Sequence, residues 1–325
     1  MRFPWTKIPA ALFCAAVGLA GAAHPAAAAE LKKVNVGEVA PIALFWPDFV
    51  AQKKGFYEKE GLDVDAVFVG SVAGSVQQMM GGALDVVFTT AETAIRAVDK
   101  GGDVVILGET VYKWPYSFMA AKDIKTPQDL KGKKVILSTP KQDLAIIWNQ
   151  WLRDQGMKPE DVDQVFDGAT PNRYAALANG AVQAAAVSQP FDFRAIAEGY
   201  TQLVDTSFFA RQYAFVVAAS RRSWATENPE TARAFLRAVA AAVDWLYDPA
   251  NKEAAIDILV GVSKQDRALI TKTYDYYFDK VKPYSRGLKI PEEGITNLLA
   301  TLIEMKEIKP NPDVSHYVDT SYLAK

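Results

Sequence analysis

The chain has almost no cysteine and almost no histidine. Its single cysteine, Cys14, and one of its two histidines, His24, lie within the first 29 residues. Beyond them there is no cysteine, and His316 is the only histidine. These absences exclude disulfide bonds and Cys-based or His-rich metal sites from the rest of the chain. They also make a Ser-His-Asp triad improbable.

The sequence also lacks an excess of one charge and has only one long apolar run. It has 36 Lys and Arg residues against 38 Asp and Glu, a formal net charge of −2. Such a balance gives no reason to expect nucleic acid or anionic lipid as a partner. Outside residues 8–23 no apolar run is long enough to span a bilayer, and no segment is of low complexity.

The N-terminal segment has the pattern of a secretory signal peptide. A short basic start precedes the apolar run of residues 8–23, and Ala27-Ala28-Ala29 fits a small-residue cleavage site before Glu30. We predict export to the periplasm with cleavage after Ala29. A lipoprotein signal is rejected because Phe13 stands where a small residue should precede Cys14. A retained anchor is disfavoured because the apolar run is short for a bilayer.

Residues 61–108 alternate short apolar runs with segments of helical period. This βαβαβ pattern predicts parallel strands covered by helices. Small or hydroxyl residues follow two of the strands: Gly70, Ser71 and Ser75 after the first, and Thr89 and Thr90 after the second. Ligands bind beyond the carboxyl ends of strands in open α/β sheets, so both loops are candidate sites. The alternative is that these residues are ordinary helix caps.

The same pattern restarts further along the chain. Residues 134–137 read as a strand, and the loop after it, with Ser138 and Thr139, opens a helix over 144–155. Strands at 162–166 and 184–187 and helices at 173–179 and 190–198 complete a second α/β unit. Beyond Asn228 the apolar spacing is helical, which predicts helices at 232–247, 254–262, 266–277 and 292–305.

Four phrases occur in a recognisable order. They are G-F-Y-E-K-E-G-L-D-V at 55–64, G-A-L-D-V-V-F-T-T at 82–90, D-L-K-G-K-K-V at 129–135 and A-A-L-A-N-G-A-V-Q-A-A-A-V-S-Q-P at 175–190. With these phrases the chain resembles the periplasmic solute-binding proteins of ABC importers. The branch is the NMT1/THI5-like one, of nitrate, sulfonate, taurine and thiamine-pyrimidine precursors. The resemblance covers nearly all of the chain after residue 29.

The resemblance implies an α/β fold of the type II, two-lobed clamshell kind. Each lobe would be a mainly parallel sheet flanked by helices, with the C-terminal helices on lobe one. Lobe one would comprise residues 30–115 and 216–325, and lobe two residues 116–215 with two hinge crossings, near 116–121 and 211–218. The implied partners are a small-molecule ligand, an ABC permease and its ATPase. The protein would be a monomer without cofactor, metal or catalytic residues.

Matching the loops to this resemblance yields candidate ligand contacts on both lobes. On lobe one they are Phe45, Trp46, Gly70, Ser71, Ser75, Thr89 and Thr90; on lobe two Ser138, Thr139, Gln142, Asn172, Arg173, Gln189 and Pro190; near the hinge Trp114 and Tyr116. The aromatic residues have helix packing as their alternative, and Arg173 has a surface ion pair. No basic residue lies in the loops at Gly70 or Thr89. We therefore expect a small organic solute, such as a sulfonate, a carboxylate or a flat heterocycle.

Two other functions remain open at this stage. The first is a periplasmic enzyme, since a pyrimidine-synthase branch of the fold consumes its own lysine-bound cofactor and a histidine. Here the only histidine after residue 29 lies in the C-terminal tail, which argues against that branch. The second is a ligand-sensing partner of a membrane receptor, which would share the fold and differ in what it docks to.

Overall fold

The computed structural model describes residues 30–140, 143–208, 213–310 and 313–324. The predicted signal peptide, residues 1–29, and the candidate contact Gln142 lie outside the described residues. The chain from Leu31 onward forms one compact unit. In the described part of this unit, no helix is both long and apolar enough to cross a membrane.

Strands of five to seven residues, with two shorter ones, build two five-stranded sheets in the described chain. They are β1 (Lys32–Glu38), β2 (Leu62–Phe68), β3 (Val86–Thr90), β4 (Val105–Val111), β5 (Tyr116–Ala120), β6 (Lys134–Leu137), β7 (Asp163–Phe166), β8 (Ala184–Ser188), β9 (Thr201–Asp205) and β10 (Val216–Ser220). Sheet one has the order β2-β1-β3-β10-β4, and sheet two the order β7-β6-β8-β5-β9.

Each sheet has four strands in one direction and one that opposes them. In sheet one β10 runs antiparallel to both β3 and β4, and in sheet two β5 runs antiparallel to both β8 and β9. The strands near the middle, such as β8 and β10, are buried along their whole length, as helix-covered sheets require. The fold class expected from the sequence, two mainly parallel sheets flanked by helices, is thus confirmed.

The helices follow the predicted periodic segments, and the long ones come last. Their bounds are α1 (Trp46–Lys53), α2 (Phe56–Lys59), α3 (Val72–Met80), α4 (Ala91–Asp99), α5 (Asp143–Asp154), α6 (Thr170–Ala178), α7 (Phe191–Ala197), α8 (Arg222–Glu227), α9 (Pro229–Leu246), α10 (Lys252–Ser263), α11 (Arg267–Asp275), α12 (Glu292–Glu304) and α13 (Val314–Tyr317). Helix α9 packs on α1 and α2, so the C-terminal helices cover sheet one.

The chain passes between the two sheets twice. It leaves sheet one after Val111 and joins sheet two at Tyr116, then leaves sheet two after Asp205 and returns at Val216. The first predicted crossing, 116–121, thus holds the interior strand β5. The second, 211–218, overlaps the start of β10 at Val216, and its residues 211 and 212 lie outside the described residues. The Thr206 hydroxyl donates to the Trp114 carbonyl at 2.7 Å, so the two passages are hydrogen-bonded to each other.

Strand β9 and a π-helical turn are among the elements that were not predicted from the sequence. Strand β9 is short, half-exposed and polar, so its pattern carries little signal, and it pairs only with β5 at the sheet edge. A π-helical turn, Tyr276–Val281, continues α11 where an ordinary α-helix was expected. Such turns appear mostly as single insertions in α-helices, often at functional sites.

Candidate functional site

The loops beyond the carboxyl ends of the two sheets meet each other. The Ala43 N–H of the loop after β1 donates to the Gln189 carbonyl after β8, at 3.5 Å. A Cβ added to Gly168, in the loop after β7, would lie 3.5 Å from the Ser71 Cα after β2. Since these loops belong to different sheets, the structure brings the two candidate loop sets into contact.

A small cavity of about 30 Å³, the cleft cavity, lies between these loops. Sheet one contributes Phe45, Thr89 and Thr90 to its wall, and sheet two contributes Tyr116; all four are sequence candidates. The wall also contains residues that sequence reasoning missed, namely Val39, Ile42, Leu44, Val72, Phe88, Gly168, Thr170, Phe215 and Val216. Most of these are apolar residues inside strands or turns, which look like ordinary core positions in a sequence.

The two neighbouring threonines at the end of β3 have different roles. The Thr90 hydroxyl donates to a carboxylate oxygen of Glu92 at 2.7 Å, at the start of α4. The Thr89 hydroxyl is buried and has no hydrogen-bond partner anywhere in the described chain. An unpaired buried hydroxyl costs stability unless something occupies it. Thr89 is therefore the polar group on this wall that remains available to a ligand.

Arg173 places a buried positive charge beside the cleft cavity. Its side chain is fully buried, and it donates to the carbonyls of Ala186 at 2.6 Å and Asp167 at 2.7 Å. A third bond reaches the Thr170 hydroxyl, on the cavity wall, at 3.0 Å. The Tyr116 ring lies 5.9 Å from the guanidinium carbon. None of these groups is a paired carboxylate, so the charge is held by dipoles.

Burial lowers the pKa of the Arg173 guanidinium from its usual value, and Tyr116 and Asp167 oppose that shift. Arginine nevertheless stays protonated in proteins, because its ordinary pKa is far above neutrality. A buried cation without a bound carboxylate is costly by itself. An anionic group reaching the Thr170 side of the cavity would supply the missing negative charge.

Gln189, directly after β8 of sheet two, has an unpaired hydrogen-bond acceptor, its amide oxygen. Its amide nitrogen donates to Asp192 at 2.5 Å, while its amide oxygen is buried without a partner in the described part of the chain. The same Asp192 oxygen accepts from Ser117 at 2.9 Å, and burial raises the pKa of Asp192 to about 7. Pro190 joins Gln189 through a cis peptide bond and stands at the start of α7. Asp192 therefore orients the Gln189 amide.

Two aromatic residues carry buried polar atoms near the passages between the sheets. Trp114 stacks on Tyr213 at 5.5 Å and packs on Phe215, and its indole nitrogen has no partner among the described residues. Tyr277 was not a candidate from the sequence. Its hydroxyl is fully buried and also has no hydrogen-bond partner among the described residues. Its pKa is raised mainly by burial and further by neighbours that include Asp192 and Tyr116 of sheet two. Its position in a helical apolar run gave no signal of this.

Other candidates have structural roles. The Trp46 indole donates to the Ala255 carbonyl at 3.1 Å and packs among aromatic rings of α11 and the π-helical turn. The Ser71 hydroxyl accepts from the Gly74 N–H at 3.2 Å as the cap of α3, and Ser75 bonds Val72 within that helix. Asn172 is exposed and bonds Asp167. Trp46 thus matches the packing alternative and Ser71 the capping alternative, while Ser75 and Asn172 are bonded within their own helix or loop.

Of the remaining candidates, Thr139 lines a separate cavity of about 390 Å³, the loop cavity. Thr139, after β6, lines it opposite Met80 of α3 and Arg96 of α4, and its hydroxyl is buried and unpaired in the described chain. Ser138 is buried next to it. Gly70 adopts a φ of 74° in the loop after β2, a conformation that glycine allows. The loop cavity also lies between elements of the two sheets.

The arrangement suits binding better than chemistry. The walls of the cleft cavity are largely apolar, and their polar atoms are hydroxyls backed by one buried guanidinium. In the described residues no three His, Cys, Asp or Glu side chains are grouped so as to hold a metal ion. Pockets that are mostly apolar with a few placed polar groups are the usual form of small-molecule sites.

Comparison with known proteins supports this interpretation. A family model described as NMT1/THI5 like matches residues 43–252. A Bacillus subtilis protein named as a binding protein, YtlA, is 23% identical over 232 residues, 69% of each chain. The alkanesulfonate-binding protein SsuA from Xanthomonas axonopodis, bound to MOPS, superposes with a TM-score of 0.74 at 17% identity, over 90% of this chain and 99% of that one. The nitrate-binding protein NrtA from Synechocystis superposes with a TM-score of 0.73 at 18% identity, over 90% and 87%.

Proposed function

The chain belongs to the NMT1/THI5-like family, and from that membership we propose that it is the solute-binding component of an ABC importer. It captures a small organic molecule between the two sheets and delivers it to a membrane permease with its ATPase. It acts in the periplasm as a monomer, after removal of residues 1–29. Residues 30–115 and 216–325 form one lobe and residues 116–215 the other, with hinge segments between them.

The observation that carries this proposal is the mixed origin of the cleft-cavity wall. Thr89 and Phe45 come from sheet one, while Tyr116 and Thr170 come from sheet two. A ligand that contacts both groups stabilises the closed arrangement over an open one, because only the closed arrangement offers all contacts at once. Capture coupled to closure is what an importer requires of its binding component.

The proposed solute has an apolar body and an acidic head. The apolar body follows from the cavity wall, because Phe45, Phe88 and Phe215 all line the cleft cavity. The acidic head follows from Arg173, whose buried charge lacks a carboxylate partner within the described chain. A sulfonate or carboxylate accepts hydrogen bonds from the Thr89 hydroxyl and compensates that charge. The named relatives that bind alkanesulfonate and nitrate are consistent with an anionic solute.

Non-enzymatic action is part of the proposal. The relatives compared above are named for binding, and the unpaired buried group on the cavity wall, the Thr89 hydroxyl, has no base bonded to it in the described chain. Recovery of the bound compound unchanged after long incubation is the expected result. Conversion of any hit compound at the rate of an enzyme would overturn this part of the proposal.

The test starts with a thermal-shift screen of alkanesulfonates, aromatic carboxylates and pyrimidines, followed by calorimetry on the best compound. Thr89→Val replaces the unpaired hydroxyl by a methyl group of similar shape. We expect about five- to tenfold weaker binding from the lost hydrogen bond, with no loss of thermal stability, because the free protein loses no bond.

Thr110→Val is the matched control. The Thr110 hydroxyl donates to the carbonyl of Val216 at 3.1 Å, so the same substitution removes a real internal bond. It should lower the free energy of unfolding by about 1 kcal/mol. Because Val216 itself lines the cavity, some loss of ligand affinity is expected, but less than that of Thr89→Val. If Thr89→Val binds as tightly as the parent protein, the ligand does not contact this wall and the site is elsewhere.

A further inference from the structure

A larger pocket opens on the C-terminal helices that cover sheet one. This outer pocket has a volume of about 880 Å³ and is lined by five aromatic rings, those of Tyr112, Tyr247, Tyr274, Phe278 and Tyr284. Phe278 is central, with ring centroids 4.4 Å from Tyr274, 5.4 Å from Tyr247 and 5.8 Å from Tyr284. Because these rings pack on one another, they form a preformed aromatic wall.

The rim of the outer pocket is basic. Lys252, Lys282, Arg286 and Lys289 line it, and among the described lining residues Asp279 is the one acid. Lys252 pairs with Asp275 at 2.6 Å and Arg286 with Asp244 at 2.8 Å. Lys282 and Lys289 are exposed and have no hydrogen bond or ion pair of their side chains within the described chain. Two positive charges at the rim are therefore available to a ligand.

A third lysine strengthens the positive field at this rim. The Lys113 ammonium donates to the Val281 carbonyl at 2.6 Å, directly before Lys282. Burial and the charge of Lys282 both lower the pKa of Lys113. Lys282 itself has a φ of 51°, and its backbone N–H is bonded to the Tyr277 carbonyl at 2.7 Å. The backbone that presents Lys282 is thus held in place at the end of the π-helical turn.

The outer pocket is separate from the cleft cavity. The two share no lining residue. Tyr284 stands between them, because its ring lines the outer pocket while its hydroxyl donates to the Ala43 carbonyl at 2.5 Å, next to the cavity residue Leu44. A molecule in the outer pocket therefore occupies a second place on the protein.

We propose that the outer pocket is a second binding site, for a flat aromatic compound with one carboxylate or sulfonate group. The aromatic wall contacts the ring of the compound through offset or edge-on packing. Lys282 and Lys289 bind its acidic group at the rim, where solvent still reaches the lysines. This site is independent of the interlobe function proposed above.

The probe for the test is naphthalene-2-sulfonate, titrated by calorimetry into the purified protein. Two analogues separate the contributions: naphthalene-2-sulfonamide keeps the ring without the charge, and methanesulfonate keeps the charge without the ring. The double variant Lys282→Gln with Lys289→Gln should bind naphthalene-2-sulfonate about fivefold more weakly or worse, and Lys282→Arg with Lys289→Arg should retain binding. Both analogues should bind the parent protein more weakly than the probe.

Lys131→Gln with Lys133→Gln is the matched control, since it removes the same charge from exposed positions at sheet two. It should leave probe affinity unchanged, apart from the small effect of net charge. The proposal is overturned if the parent protein does not bind the probe, or if both glutamine double variants bind it equally. Thr89→Val distinguishes the two sites: an effect of that variant alone on the probe would assign the probe to the cleft cavity and contradict the outer site.

Discussion

At the residue scale, a polar side chain is structural when it has a hydrogen-bond partner inside the fold, and it is available to a ligand when it has none. Thr89 and Thr90 are adjacent, yet Thr90 is bonded to Glu92 and Thr89 is unpaired in the described chain. The same contrast separates Ser71, which caps α3, from Thr139, whose buried hydroxyl has no partner there. Residue type alone therefore does not identify the groups that a ligand can use.

Glu109 yields a prediction about pH. Burial raises the pKa of its carboxyl group to about 8, although a bond from the Phe215 N–H lowers it in part. The folded protein therefore binds this proton more tightly than the unfolded chain does. The contribution of this carboxyl group to the free energy of unfolding is fully present below the pKa that the group has in the unfolded chain. It is lost as the pH rises through the folded-state pKa of about 8.

We expect the free energy of unfolding to fall by about 3 kcal/mol between pH 5 and pH 8 because of this one group. Glu109→Gln should remove that part of the decline, as measured by urea unfolding across this pH range. Glu160→Gln, at an exposed glutamate, is the control and should leave the pH profile unchanged. Equal profiles for the parent protein and Glu109→Gln would show that Glu109 is ionised in the fold.

At the scale of elements, the same few residues at the end of a strand begin a helix and also form part of the contact or cavity between the two sheets. The loop after β2 begins helix α3 and also touches Gly168 of the other sheet. The end of β3 passes directly into α4 and places Thr89 on the cleft cavity. A substitution at either place is therefore expected to change helix stability and ligand binding together, unless it is chosen to separate them.

Ser71 allows such a separation. Its hydroxyl caps α3, so Ser71→Ala should lower the free energy of unfolding by about 1 kcal/mol. Ser71→Gly should cost only a few tenths of that amount, since glycine is tolerated at the cap position. If both variants bind the ligand like the parent protein, Ser71 acts only as a cap. A loss of affinity in both, without the difference in stability, would instead favour a direct contact.

At the scale of the whole molecule, the π-helical turn joins the two sheets. The Tyr276 hydroxyl lies 2.6 and 2.7 Å from the two carboxylate oxygens of Asp205, at the end of β9, and also bonds Ser207. Its ring packs edge-on against Phe193 of α7 at 5.6 Å. Tyr276 follows α11, whose neighbours cover sheet one, whereas Asp205 and Phe193 belong with sheet two. If the two lobes close on a ligand as proposed above, these contacts stabilise the closed arrangement.

Tyr276→Phe keeps the ring and removes the bond to Asp205. We expect it to shift the open–closed equilibrium toward open forms and so to weaken ligand binding about three- to tenfold. Small-angle scattering of the ligand-free protein should show a larger radius of gyration than that of the parent protein. Tyr174→Phe is the control, because that hydroxyl bonds Glu198 among the helices of sheet two and Tyr174 lines none of the three cavities. If both variants have the same radius of gyration and the same ligand affinity, Tyr276 does not contribute to closure.

Much of the architecture follows from local sequence patterns. The runs that became β3, β6 and β8 are short and apolar, and segments of helical period follow them, so their type was predictable. The carboxyl-end loops followed from that alternation, which made Thr89 and Thr90 candidates, whereas Phe45 and Tyr116 were candidates through the family resemblance; the structure places all four at one cavity. Weak periodicity hid β9, which pairs only with β5.

The sequence by itself determined the class of fold and the edges of the sheets where a site would form, because those depend on neighbours a few residues apart. The tertiary structure alone decided which side chains face the cavity. Trp46 is taken into the core by Ala255, 209 residues away, and Arg173 is buried by the carbonyls of Ala186 and Asp167. Tyr277 reaches the groups of sheet two through an unpredicted turn. Residues so far apart in the chain cannot be paired from the local spacing of apolar residues, because tertiary packing and not helical or strand periodicity brings them together.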